Sequence, residues 1–383
     1  MYFIHSLVSI VAMFVLVLAQ AGSSPGVTDK QVTVGGFLGL SGDFALAARD
    51  VEQATEAYFN KINDAGGVNG RKLKFIAIDD GYVPSRSAAA ARRLVEQDDV
   101  FVIMPAFGTP NALAAMPYVQ SKDVPMFGVQ GYSRNLFPAQ KDVYGNWAPF
   151  ADQIHLMADY FFKHGPVKQI GFIGLDNEAG AAGLVGAEDA AKAHGQTLVS
   201  VAVPPGAPDY RSAILDLRGK GVSHLLMVLG PQDTAKVVTE AREAGWNPQF
   251  GGHQGTPDTL TIQLGGKAIE GVYGIATSAL PTWDTPVWPG VKDYLHTLAR
   301  YFPEAKASAF GIRAYADAMV FVETLKRSGA TPTRPAFVRA LEDIKGFKTG
   351  IYPPVTYGPD RHDGNVGGIV VQDRGGVWLP VNN

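Results

Sequence analysis

The residues able to do chemistry in this 383-residue chain are few and scattered. Gly36, Gly39 and Gly42 stand between a strand-like and a helix-like run, where a phosphate could meet a helix N-terminus. A dinucleotide fingerprint needs G-x-G-x-x-G at that place, whereas the spacing here is G-x-x-G-x-x-G, and no G-x-x-x-x-G-K-[ST] occurs. The loop therefore reads as a structural turn. It still presents a helix start at the carboxyl end of a strand, where open α/β sheets bind ligands. Gly39-Leu40-Ser41-Gly42-Asp43 misses the nucleophile elbow G-x-S-x-G by one place, since position 43 is Asp. The eight histidines form no H-E-x-x-H or H-x-x-H pair, and His155 and His164 read as surface residues on a helix. Asp79-Asp80 could supply carboxylates to a metal, but an acidic strand end reads first as the cap of the next turn. Asp360 to Gly364 is a turn by composition. Thr109 offers a hydroxyl just ahead of a helix. It can hold a ligand carboxylate together with backbone N–H groups, or serve only as the helix N-cap. With no nucleophile beside a base, the expectation is a protein that is not an enzyme and carries no cofactor or metal.

The elements that position these residues follow from periodicity. Val32 and Val34 alternate as in a strand. Ala54, Ala57, Tyr58, Ile62 and Ala65 recur every three or four residues within a predicted helix over 45–65. Gly66-Gly67 ends it, and Leu73, Phe75, Ala77 and Ile78 form a second strand. This is a βαβ unit, which implies a right-handed crossover and a parallel sheet. Further on, Val100 to Met104 is a buried strand, and short strands end at Gln130 to Tyr132, Asp176, Gly230 and His253-Gln254-Gly255. Helices are predicted over 87–97, 112–120, 152–164, 183–194, 210–219 and 233–244. Helices over 289–302, 308–327 and 334–344 have no strand between them, so they must cover an earlier sheet. The tail reads as strand at 355–357 and then as a hairpin. The pattern is two α/β units in tandem, each exposing strand carboxyl ends, with a ligand between them.

Composition narrows the classes. The hydrophobic share of 46% is that of a globular chain long enough for two domains. A net charge of −3 argues against nucleic acid or a membrane surface as partner. The absence of cysteine excludes disulfides, thiol nucleophiles, zinc–thiolate sites and a lipid-bearing N-terminal cysteine. Leu7 to Ala19 is an apolar run followed by Ala19-Gln20-Ala21 and a polar flank. Residues 1–21 are therefore expected to be a secretory signal peptide, too short in its apolar run for a membrane span.

Ile62-Asn63-Asp64-Ala65-Gly66-Gly67-Val68-Asn69-Gly70-Arg71, followed by Asp79-Asp80, resembles the Leu/Ile/Val-binding proteins. These are the periplasmic substrate-binding subunits of branched-chain amino acid ABC importers. Segments 39–43, 240–245, 250–252 and 349–357 resemble the family in the same order, so the likeness covers nearly the whole mature chain. The resemblance implies a type I periplasmic-binding fold: two Rossmann-like lobes with parallel sheets, joined by a three-segment hinge. Lobe 1 is expected at 22–147 with 279–351, and lobe 2 at 148–278 with 352–383. A monomeric, soluble periplasmic protein would bind a small ligand in the cleft and deliver it to a membrane ABC permease. The alternative is a sensor of the same fold that feeds a receptor or kinase.

The resemblance also implies site residues. Thr109, preceded by Gly108, matches the hydroxyl that holds the ligand carboxylate, and Gln130 and Tyr132 match the next loop. Ser41 belongs to a matching loop. Gln254 stands where the family places the acid that binds the ligand ammonium. Ala47, Gly180 and Gly230 fall near the family's cleft aromatics. An unpaired buried ammonium costs several kcal/mol, roughly, so Gln254 disfavours an α-amino acid unless Asp176, Glu178 or Asp233 replaces the acid. Small residues in place of aromatics suggest a roomier cleft. The expected ligand bears a carboxylate or amide, amino-acid-like or aromatic, and lacks an α-ammonium.

Overall fold

The computed structural model describes residues 24–133, 135–137 and 139–381, so the expected leader and its cleavage site lie outside the described residues. The first unit is β1 (Gln31–Leu38), α1 (Ala45–Asp64) and β2 (Lys72–Asp79), with β1 and β2 parallel from Gln31–Lys72 to Leu38–Asp79. β1 runs on through Gly35 and Gly36, although the sequence suggested that the loop begins by Gly36. The reason is close packing: a Cβ on Gly35 would lie 2.6 Å from Leu94 Cδ2, and one on Gly36 would lie 2.8 Å from Pro105 Cδ. Glycine inside a strand marks such an approach. α1 ends where expected, at Gly66 and Gly67 with φ of 102° and 82°, a region that glycine enters without steric cost.

α2 (Pro84–Glu96), β3 (Val102–Phe107), α3 (Thr109–Ser121), β4 (Met126–Gln130) and β5 (Val143–Gly145) complete a five-stranded parallel sheet in the order β2-β1-β3-β4-β5. Three-residue β5 is too short to show a period, and its sequence reads only as a crossover. Alternation divides the core of this sheet: Val102 and Met104 join the larger hydrophobic cluster, while Ile103 packs with Ala90, Leu94 and Val119 of α2 and α3.

The second unit holds α4 (Phe150–His164), β6 (Ile170–Leu175), α5 (Glu178–Ala193), β7 (Val199–Val203), α6 (Arg211–Gly219) and β8 (His224–Val228). It continues with α7 (Pro231–Glu243), β9 (Gln249–Gly252), α8 (Thr259–Gly265) and β10 (Tyr273–Ala276). Next come α9 (Pro289–Tyr301), α10 (Ala309–Arg327) and α11 (Arg334–Glu342), then a hairpin of β11 (Ile369–Asp373) and β12 (Trp378–Pro380). The second sheet runs β12-β11-β10-β9-β8-β6-β7, and only β11 and β12 are antiparallel to their neighbours. As the strand-free run of helices requires, α9 and α10 pack on α1 and so cover the first sheet.

Two details differ from the sequence expectation. Residues 355–357 form no strand; Val355 makes an isolated bridge to Phe347. The last return to the second sheet also comes later than residue 352. Tyr357 packs on Phe127 and Tyr144, Gly145 N donates to His362 O, and Gly364 N donates to Gly145 O. These contacts hold 355–364 beside the first sheet, and Asn365 Nδ2 then donates to Thr277 O on the neighbouring crossover.

Candidate ligand-binding cleft

The carboxyl ends of β1 to β4 face those of β6, β8 and β9 across a narrow, nearly filled cleft with a cavity of about 40 Å³. Ligand sites of open α/β sheets lie at such ends because the loops there are free to vary. The first sheet contributes Phe44, Tyr82, Phe107, Gly108, Thr109 and Gln130. Trp147 and Phe150 come from the crossover and the start of α4. Opposite stand Leu175, Ala179, Val228, Leu229, Gly230 and His253, and Phe310 closes one side from α10.

Two aspartates at the end of β2 hold the upper loops. Asp79 Oδ1 accepts from Ser41 N at 3.1 Å and from Gly81 N at 2.9 Å. Asp80 accepts from Tyr82 N (2.8 Å), Ser87 Oγ (2.6 Å) and Asn111 Nδ2 (3.2 Å), which ties the turn before α2 to the first turn of α3. Burial pushes its carboxyl above the usual range, against these hydrogen bonds. The pair therefore caps turns, and among the described residues no group of three or more His, Asp or Glu could hold a metal. The network also fixes Tyr82 at φ 59°, a costly conformation for a bulky residue. There Tyr82 stacks on Phe44 with ring centroids 4.1 Å apart.

Of the residues expected from sequence, the structure brings Gly108, Thr109, Gln130 and Gly230 to the cavity wall. Thr109 is the first residue of α3, and the cap position falls to Gly108 at φ 99°. A Cβ on Gly108 would lie 2.6 Å from both Asn111 Oδ1 and Tyr82 Cε2. Thr109 Oγ1 accepts from Tyr132 N at 3.1 Å and so binds the next loop to the helix start.

The other five lie off the wall. Ser41 is exposed and held through its backbone by Asp79. Ala47 is buried in α1. Gly180 sits where a Cβ would be 1.9 Å from Leu175 O, so it serves the packing of α5 on β6, and Ala179 faces the cavity instead. Tyr132 stacks on Phe137 at 5.4 Å beside a second compartment that Asp152 and Glu178 also line. Gln254 is wholly buried behind the wall. Its N–H donates to Gln153 Oε1 at 2.7 Å, its side-chain oxygen accepts from Thr277 Oγ1, and its carbonyl accepts from Arg313 Nη1 at 3.2 Å. One residue earlier, His253 takes the wall position. Asp176, Glu178 and Asp233 are not among the cavity-lining residues either. Asp233 accepts from Tyr210 Oη at 2.6 Å and from Gly206 N at 3.2 Å.

The expectation of a roomier cleft is corrected. Ala47 and Gly230 are small, but Phe44 stands three residues before Ala47 and its ring occupies the space beside Gly230. Phe107, Trp147, Phe150 and Phe310 add further rings. Sequence reasoning missed these aromatics. The available signal was their position: Tyr82 and Phe107 stand at or just past the end of a strand, and Phe44 stands immediately before the helix that follows β1.

Polar groups on this aromatic wall are sparse and incompletely paired. Gln130 Nε2 donates to Asp317 Oδ2 at 3.0 Å, while its Oε1 has no partner in the protein. Trp147 Nε1 and His253 Nδ1 are likewise buried without partners. Burial, aided by the Arg313 charge, lowers His253 to about 3, so its ring is neutral at physiological pH. Arg313 is fully buried behind the wall, 4.6 Å from the Trp147 ring and 4.9 Å from the Phe310 ring. Its Nε and Nη2 have no protein partner. Among the described residues, no Asp, Glu, Lys or Arg lines the cavity itself.

The profile of the family described as periplasmic binding protein matches residues 31–375. Leu/Ile/Val-binding protein homolog 7 of Brucella abortus (strain 2308) is 24% identical over 348 residues, covering 87% of this chain and 86% of that protein. Homolog 3 of Brucella melitensis is 26% identical over 327 residues, covering 84% and 85%. Among solved structures, a branched-chain amino acid ABC transporter protein from Thermus thermophilus with bound valine superposes with a TM-score of 0.85 at 19% identity, covering 93% of this chain and 96% of that one. A fatty acid ABC transporter substrate-binding protein from Thermomonospora curvata gives the same TM-score at 19% identity, covering 94% and 93%. At such identities the superpositions speak for the fold alone. With the family profile spanning residues 31–375, which include the cleft between the two sheets, the chain belongs to the periplasmic binding protein family.

Proposed function

We propose that this protein is a periplasmic solute receptor of an ABC importer, and that its cleft takes an aromatic monocarboxylate or amide without an α-ammonium. The observation that carries the ligand class is the cavity wall: six aromatic rings and no carboxylate. A ligand ammonium buried there would lack a counter-charge, at a cost of several kcal/mol, roughly. An anion is favoured on two counts. Gly108 and Thr109 bring the N-terminus of α3, with its partial positive charge, to the wall. Arg313 adds a buried positive charge behind Trp147 and Phe310. The unpaired Gln130 Oε1 and Trp147 Nε1 suit a ligand amide or hydroxyl, which can donate to the first and accept from the second. Ligand binding would stabilise closure of the two sheets' lobes, and the permease would recognise the closed form. Export to the periplasm and a monomeric state belong to the same proposal.

A thermal-shift panel tests the ligand class: benzoate, phenylacetate, 4-hydroxybenzoate, benzamide, leucine, isoleucine and valine. A ligand present at 100 times its Kd stabilises the folded protein by about 2.7 kcal/mol. The expected outcome is a raised midpoint with at least one aromatic acid or amide and none with the three amino acids. Micromolar binding of leucine by titration calorimetry would overturn the ligand class.

Thr109→Ala tests the anchor. The hydroxyl accepts from Tyr132 N at 3.1 Å and donates to Tyr132 O only at 3.5 Å, a long bond that a ligand oxygen can replace. A bond to a charged group is worth roughly 1.5–3 kcal/mol. Affinity for the best acid of the panel is expected to fall about 10- to 100-fold. Equal affinity of variant and parent would leave Thr109 only the role of tying the Tyr132 loop to α3.

A further inference from the structure

Two neighbouring residues of the first sheet's leading loop, Asp43 and Phe44, reach across the cleft to the second unit. Each meets a glycine. The Asp43 carboxyl group occupies the space where a side chain on Gly206 would begin: a Cβ there would lie 1.9 Å from Cγ. The Phe44 ring occupies the corresponding space at Gly230, with Cε1 2.7 Å from the position of a Cβ. Gly206 has φ +63°, so its glycine also serves the backbone. Gly230 does not need glycine for its backbone: φ is −67° and ψ is 165°, extended values open to any residue. The absence of a side chain at Gly230 is explained by Phe44 alone. Phe44 is also part of the cavity, where its ring stacks on Tyr82.

We propose that Asp43 and Phe44 form a two-pronged latch that seats on Gly206 and Gly230, and that Phe44 is the specificity-determining residue coupling ligand size to closure. The lobes close fully only when the Phe44 ring seats against Gly230. A ligand that overfills the cavity lifts the ring from its seat and holds the lobes apart. A ligand that fits beneath the Phe44–Tyr82 stack leaves the latch free to seat. This inference rests on the closure part of the proposed function and is independent of the ligand class.

The test uses ligand-free protein, so a wrong ligand class cannot affect it. The chain has no cysteine, and an introduced pair is therefore unique. Leu46 on α1 and Leu264 on α8 are exposed, and Leu264 lines the same opening as Asp43. Leu46→Cys with Leu264→Cys, treated with a short bis-maleimide, reports how often the mouth closes. In this background Gly230→Ala puts a methyl group against the Phe44 ring and is expected to slow cross-linking roughly tenfold or more. Adding Phe44→Ala should restore the parent rate. Phe44→Trp with Gly230 intact should slow cross-linking as Gly230→Ala does, which keeps the test decisive if the glycine variant folds poorly. Cross-linking at the parent rate in Gly230→Ala or in Phe44→Trp, or failure of Phe44→Ala to rescue Gly230→Ala, would overturn the latch.

Discussion

Asp258→Ala is expected to lower the stability of the protein by about 3–5 kcal/mol, the range for breaking a buried, hydrogen-bonded charge site. Asp258 is 1% exposed and serves two helices at once. Its Oδ1 accepts from Leu260 N at 2.7 Å, capping α8. Its Oδ2 accepts from Ala309 N at 2.8 Å and Phe310 N at 3.2 Å, the N-terminus of α10. α8 belongs with the second sheet and α10 with the first, so one carboxylate pins the two units together where they meet. Alanine would leave three N–H groups without that acceptor. It would also leave Arg313 with one fewer compensating charge, since Asp258 is among the acids whose field reaches the guanidinium. Asp258→Asn keeps one acceptor oxygen and is expected to cost about half as much. Urea unfolding of the two variants beside the parent measures this. A loss below about 1 kcal/mol for alanine would mean that water replaces the carboxylate and that the site is not a pin.

Stability is expected to fall by roughly 2 kcal/mol between pH 6 and pH 8. Asp50 and Asp317 are both pushed up from 3.8 to about 7, in each case chiefly by burial. Between pH 4 and 7 the folded state holds two protons that the unfolded chain has released. The stability they contribute is fully present below about pH 4 and is lost as pH rises through 7. His253 acts in the opposite sense: its folded value of about 3 lies below the usual 6.5, so its contribution is present above 6.5 and lost as pH falls. At pH 6 the two carboxyls hold nearly two protons against one released at His253, and by pH 7 each carboxyl is half titrated, so the steepest fall comes at about pH 6 to 6.5. Chemical unfolding at pH 6, 7 and 8 gives the profile, and Asp317→Asn should flatten it. Asp317 also holds Gln130 at the cavity wall and accepts from Asn146 Nδ2 at 2.8 Å and Tyr352 Oη at 3.2 Å. A level profile from pH 6 to 8 in the parent would show that these two carboxyls are ionised in the folded protein.

Local periodicity and punctuation in the sequence determined the alternation of strands and helices, because each element's apolar face recurs at its own period. α1, its Gly66-Gly67 stop and the helices over 289–342 were legible for that reason. So was the placement of cavity-lining loops at strand ends, where Gly108, Thr109, Gln130 and Gly230 reach the wall. Tertiary structure decided what depends on neighbours distant in the chain. Gly35 and Gly36 look like a loop until Leu94 and Pro105 press on them and make them strand. Gln254 and His253 are adjacent in sequence, yet one is buried against Arg313 and the other lines the cavity, a choice made by the turn after β9 and the helix packed behind it. The aromatic wall draws on loops from residue 44 to residue 310. No spacing along the chain encodes it, because rings that share a cavity are brought together only by the order of strands in two sheets. The charge of the site is likewise set at a distance: Arg313 stands in the second turn of α10, and only packing carries its guanidinium to the back of Trp147.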